Sequence, residues 1–177
     1  MKTLAETIPT TPGLVEVVIS GNKCFGDKWK NPRAESDRYY ERYGKIHDVD
    51  KDQSGWNNLC EQLKVSKIAS FTAADVGMGP VALRTLATSL PAALTNIALD
   101  ESSIGGLDRW GEGEENQELL TLTDALANSN VTTLSLKACG LGPAACADAL
   151  LLLLDSVHLT DLNISDNCLT GATRSNY

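Results

Sequence analysis

Positive charge is scarce in this chain: 15 Lys and Arg stand against 23 Asp and Glu over 177 residues, a net charge of −8. Clustered Lys and Arg are what grip a phosphate backbone, so no nucleic-acid partner is expected. Histidine is nearly missing. His47 and His158 are the only two, and neither has Cys or Asp neighbours at ligand spacing. Long apolar runs are also lacking. The most hydrophobic, "ALLLLLDSV" from Ala149 to Val157, is far shorter than the roughly 20 residues a bilayer demands, so no membrane partner is expected either. The opening "MKTLAETIPTTPG" has one lysine and none of the apolar core of a secretory signal. Cys24, Cys60, Cys139, Cys146 and Cys168 make an odd number and form no CxxC pair. Without secretory context they read as reduced thiols packed as small apolar groups, which points to a cytoplasmic protein.

What the chain does have is a phrase that returns. "LTDLNISDNCL", beginning at Leu159, sets apolar residues at offsets 0, 3, 5 and 10, with Asn167 at offset 8. "LVEVVISGNKC" repeats it from Leu14, "IASFTAADVGM" from Ile68, "LTNIALDESSI" from Leu94 and "VTTLSLKACGL" from Val131. Ahead of each copy lies a helix-like segment: "LAETIP", "LCEQLKVS", "LATSLP", "LTDALANS" and "ALLLLLDS". After most copies comes Gly, twice followed by Pro, a residue that suits the first turn of a helix. Each unit therefore reads as strand, turn, helix and return.

One unit cannot bury its own apolar row, but stacked neighbours can, with their strands pairing in parallel. Asn22 and Asn167 fall where the chain leaves the strand, and their amides can satisfy turn backbone groups. Cys139 and Ser102 are smaller substitutes. Val76 cannot donate, which makes the second unit the weak rung.

The phrase resembles the leucine-rich repeat, LxxLxLxxN/CxL. "CGLGPAACADAL" and the 26- to 28-residue spacing are similar to its ribonuclease-inhibitor-like subclass, also found in Ran GTPase-activating proteins and NOD-like receptors. The resemblance implies an α/β solenoid, a horseshoe arc of about five repeats forming one domain over residues 1–177. Short parallel strands would line its concave side and helices its convex side. Such repeats serve many unrelated partners, so the fold alone assigns no function.

The copies start at residues 14, 68, 94, 131 and 159, giving intervals of 54, 26, 37 and 28. The long intervals imply an insertion over residues 27–55 and a smaller loop insertion over 107–117. Six of the nine aromatics fall between Phe25 and Trp56. "NPRAESDRYYERYGK" reads as a short helix with Asn31 as its cap and Gly44 as its stop. Trp29, Tyr39 and Tyr43, with Trp110 from the second insertion, are expected along one rim as a contact surface, since Tyr and Trp are common interface anchors. The bland alternative is that they pack the insertion onto the scaffold.

Strand alternation leaves offsets 2, 4, 6 and 7 pointing away from the core. These positions hold Glu16, Asp75, Asp100, Glu101, Asp161 and Asp166 against a single Lys137. An acidic concave strand face would favour a basic protein partner. Other chemistry finds weaker support. "DVDKDQSGWNNL" places Asp48, Asp50 and Asp52 as a calcium loop would, but Gln53 replaces the turn glycine and Leu59 the closing Glu. A solvated turn capping a helix from Trp56 fits those residues better. "GMGP" and "GLGP" match no phosphate-binding motif. Arg33 and Arg109 lie in strand-to-helix loops, where a GTPase-activating arginine would sit, but in no matching motif. No catalytic residues, metal ligands or cofactor are expected, and the chain reads as an interaction scaffold rather than an enzyme. The alternative is a calcium-regulated or GTPase-activating-type regulator built on the insertions. The first helix lacks its strand and the last strand lacks its helix, so open ends are expected, in a fragment or in a chain that self-associates.

Overall fold

A computed structural model describes residues 2–25, 50–105, 117–143, 146–154 and 158–170. Five three-residue strands form one sheet: β1 Glu16–Val18, β2 Ser70–Thr72, β3 Asn96–Ala98, β4 Thr133–Ser135 and β5 Asp161–Asn163. They lie in chain order and every pairing is parallel. Parallel neighbours need a crossover between them, and helices supply it. α1 (Lys2–Thr7) continues as a 3₁₀ turn (Ile8–Thr10), followed by α2 (Ser54–Lys64), α3 (Pro80–Ala87) and α4 (Gln117–Ala127). A π turn at Cys146–Leu150 leads into α5 (Leu151–Leu154). Successive helices pack on one another, α1 on α2 through α4 on α5.

The register reproduces the sequence phrase. Val17, Phe71, Ile97, Leu134 and Leu162, all at offset 3, stand in one row across the sheet. Beyond the strands the ladder continues, with the N–H at offset 5 donating to the next unit. Ile19 reaches Thr72 O at 2.9 Å, Ala73 reaches Ala98 O at 2.8 Å, Leu99 reaches Ser135 O at 2.9 Å and Leu136 reaches Asn163 O at 2.8 Å. Two residues further on the backbone turns. Gly21, Asp75, Glu101, Ala138 and Asp166, at offset 7 of the five units, all take positive φ, between 51° and 71°. That left-handed geometry costs an L-residue about 1 kcal/mol, least for Gly and little for Asp. It recurs because each strand must end at the same place for the next helix to return over the core.

One face of the sheet is buried and the other is open. The middle residue of each of β1 to β4 is buried while its neighbours are not, the alternation a half-covered sheet requires. The helices bury residues at helical spacing onto the covered face: Trp56, Leu59, Cys60 and Leu63 from α2, and Ala82, Leu83 and Leu86 from α3. α4 contributes Leu119, Leu122 and Leu126. Each such leucine stabilises the fold by about 1.5–3 kcal/mol relative to exposure. Trp56 is fully buried, donates its indole N–H to Ala82 O at 3.0 Å, and lies 5.2 Å from Phe25 and 6.3 Å from Phe71 between ring centroids.

Phe25 and Trp56 are thus core residues that flank the first insertion. The helix expected from Trp56 begins at Ser54, two residues earlier, because Asp52 accepts both the backbone N–H (3.0 Å) and the hydroxyl (2.7 Å) of Ser54. Tight packing between units shows at Gly105. A Cβ there would run into the carbonyl of Gly140 and lie 2.7 Å from Leu141 N.

Candidate binding surface

Two of the five side chains at offset 8, Asn167 and Cys139, bond to the unit before their own. Asn167 donates to Leu136 O at 2.8 Å and to Ile164 O at 2.9 Å, and its carbonyl accepts the N–H groups of Cys139 (2.9 Å) and Leu141 (3.0 Å). In the preceding unit the Cys139 thiol takes the equivalent place. It donates to Leu99 O at 3.2 Å, again the offset-5 carbonyl one unit back. Ser102 reaches only Asp100 O, at 3.4 Å within its own turn, and Asn22 bonds Ile19 O at 2.9 Å. Val76 is fully buried at this position with an apolar side chain. A second ladder runs along offset 1: the hydroxyls of Thr95, Thr132 and Thr160 each donate to the offset-1 carbonyl of the unit before, at 3.1–3.2 Å.

These ladders hold the acidic residues in rows, though not all on strands. Only Glu16 and Asp161 lie within strands, in β1 and β5 at opposite edges of the sheet. Asp75, Glu101 and Asp166 occupy the left-handed turn at offset 7, and Asp100 and Lys137 stand just before it. The strands are three residues long, so the acidic feature is a ridge at the strand ends rather than the strand face itself. Between the two edges the open face carries the small side chains of Ser70, Thr72, Asn96, Ala98, Thr133 and Ser135.

The acids divide by what they hold. Asp100 is structural in part: its Oδ1 accepts the Ser135 hydroxyl at 2.6 Å and the Lys137 N–H at 2.9 Å. Ser20 plays the corresponding role one sheet edge away, accepting the Ala74 N–H at 3.1 Å. Glu16 accepts the Ser70 hydroxyl at 3.3 Å and Asp161 that of Thr160 at 3.0 Å. Lys137 and Asp166 form an ion pair at 3.4 Å with side chains 46% and 63% exposed, so the pair stabilises by at most about 1 kcal/mol. Six carboxylates and one ammonium leave this side of the sheet strongly negative.

The acidic stretch before α2 is committed to the scaffold. Asp50, at φ 60°, accepts Gly79 N–H at 2.8 Å and Val81 N–H at 2.7 Å, capping the first turn of α3, while Asp52 caps α2. Hydrogen bonding to Ser54 holds the Asp52 carboxyl below the usual range. A cation bound here would have to take both Asp50 oxygens away from α3. Among the described residues no three His, Cys, Asp or Glu side chains are grouped to hold a metal ion. Asp48, Arg33 and Arg109, and the rim residues Trp29, Tyr39, Tyr43 and Trp110, lie outside the described residues, as does the helix expected over 31–44. His158 is exposed.

A cleft of about 250 Å³ opens between the ends of α3 and α4, beside Thr88, Asn128 and Asn130, with no charged side chain lining it. Among the described residues no helix is long and apolar enough to cross a membrane. Compared with family models and with curated proteins, the chain matches none.

Proposed function

We propose that the chain is a leucine-rich-repeat solenoid of the ribonuclease-inhibitor-like kind. In this reading it is a cytoplasmic interaction scaffold, not an enzyme, and docks a basic protein on the open face of its sheet. The fold reading draws support from the common register of offset 3 across five strands and from the left-handed turn at offset 7 of each unit. The functional reading rests on one observation above the others. Asp75, Glu101 and Asp166 project from equivalent turns, with Asp100 beside them, above a floor of small side chains. Such a surface steers a positively charged partner and lets its backbone approach closely.

Asp100 is the wrong residue with which to test this, because its substitution would also disturb Ser135 and Lys137. Asp75→Lys/Glu101→Lys leaves the side-chain hydrogen bonds of Asp100, Glu16 and Asp161 intact. Proteins captured by the wild-type chain at low salt should be lost from the double variant, and from the wild type at about 0.5 M salt, where the Debye length falls to a few ångströms. An unchanged set of captured proteins would sink the reading.

A further inference from the structure

The cleft between the ends of α3 and α4 stands where the chain enters β3 and β4, whereas the acidic ridge stands where it leaves the strands. Four polar side chains line it, and each commits a donor to the scaffold. The Thr88 hydroxyl donates to Thr85 O at 3.0 Å, and the Ser129 hydroxyl to Leu126 O at 2.8 Å. Asn128 Nδ2 donates to Asp124 O and Asn130 Nδ2 to Ala92 O, both at 3.0 Å. Their oxygens are less occupied. Ser129 Oγ accepts Val131 N–H at 3.2 Å, but Thr88 Oγ1, Asn128 Oδ1 and Asn130 Oδ1 accept no hydrogen bond among the described residues. The spare capacity of the cleft is mainly that of an acceptor.

The field at the cleft has the same sign. α3 and α4 both end there, and the C-terminal end of a helix carries a partial negative charge that favours a cation. No carboxylate lines the cleft, so a hard metal ion finds neither the charge nor the oxygen count it needs. Ala87, Leu90, Pro91 and Ala125 make the rest of the lining apolar. At about 250 Å³ the cleft is smaller than the roughly 300–1,000 Å³ of a drug-sized site, and suits one side chain or a molecule of that size. A guanidinium group meets all of these conditions. It is flat, positive and weakly hydrated, with donors around its edge, no acceptor, and faces that lie against apolar walls. An ammonium group is strongly hydrated and would give up more water than these neutral oxygens replace.

We propose that this cleft binds a guanidinium group, held by the oxygens of Thr88, Asn128 and Asn130 at the two helix ends. Amide NMR of the isotope-labelled 177-residue chain tests it, with an acetylated, amidated Ala-Arg-Ala peptide as the probe. Saturable shifts should appear at Thr88, Ala92, Asn128, Ser129 and Asn130, with a dissociation constant on the order of 1 mM. The same peptide with citrulline for arginine keeps the shape but loses the charge and one donor edge, and should leave those signals unmoved. Asn128 is exposed and its one hydrogen bond runs back to the last turn of its own helix, so its substitution leaves the fold standing. Asn128→Asp should tighten the arginine peptide about threefold, and Asn128→Lys should weaken it about tenfold or more. Methylguanidinium run alongside separates the two sources of the group. A peptide bound about threefold tighter or more marks a protein arginine, and equal affinity marks a free guanidinium compound; both outcomes support the site. Shifts that appear only at the ridge residues Asp75, Glu101 and Asp166, or nowhere, overturn the proposal. So does a citrulline peptide that binds equally well, or an Asn128→Lys chain that binds like wild type.

Discussion

The carboxylate of Asp50 grips the first turn of α3, accepting Val81 N–H at 2.7 Å and Gly79 N–H at 2.8 Å. The helix has no side-chain cap of its own. Gly79 precedes it, and Pro80 brings no N–H. Asp50 therefore satisfies donors that the local sequence cannot, from a residue 29 positions away, at the cost of a left-handed backbone. Asp50→Gly should lose about 1 kcal/mol, the worth of the cap. Asp50→Ala should lose roughly 2 kcal/mol, because alanine also resents the positive φ. Urea denaturation separates the two contributions, and a glycine variant as stable as wild type would show that the cap contributes nothing.

Asn167 and Asn22 hold the same offset but unequal work. Asn167 bonds four backbone groups at 3.0 Å or less, three of which, the Leu136 carbonyl and the N–H groups of Cys139 and Leu141, belong to the neighbouring unit. Asn22, in the first unit, bonds only Ile19 O and Ser20 O of its own turn, the latter at 3.3 Å. Asn167→Ala should cost about 2–3 kcal/mol, since it strands partly buried donors, and Asn22→Ala no more than about 1 kcal/mol. Equal losses in thermal melts would mean that the inter-unit bonds carry no weight.

Much of the fold could be read from apolar spacing, because offsets 3 and 5 must face inward wherever a strand is covered on one side. Leu99, Leu136 and Ile164 do stand rung above rung. The role of Asn167 was also legible, since an amide both donates and accepts. The threonine ladder lies in "LTNI", "VTTL" and "LTDL", but a threonine beside a strand suggests propensity before it suggests a bond to the preceding unit. The left-handed turn was hidden for a physical reason. Asp75, Glu101, Ala138 and Asp166 are not glycines, so tertiary closure imposes a backbone geometry that only Gly21 announces. For the same reason the acids read as one strand face turned out to lie mostly on a turn. Asp50 misled differently: its spacing with Asp52 mimics a metal loop, while its real partners are amides that no local pattern reveals.

Two buried thiols give the chain a weakness on the alkaline side. Burial pushes Cys60 up to about 12, and burial foremost, with the charges of Asp100 and Glu101, does the same to Cys139. The ordinary value is near 9.0, so between pH 9 and 12 the unfolded chain releases protons that the folded chain retains. Stability contributed by these thiols is complete below about pH 9 and declines as pH rises through that window. Urea midpoints should hold level from pH 7 to 8 and fall above pH 9. Cys60→Ala and Cys139→Ala, each compared with wild type at the same pH, should flatten the fall, whereas replacing the half-buried Cys168 should not. Cys139→Ala carries a further loss at every pH, since its thiol also donates to Leu99 O. A fall of the same steepness in all four proteins would show that other groups set the alkaline limit.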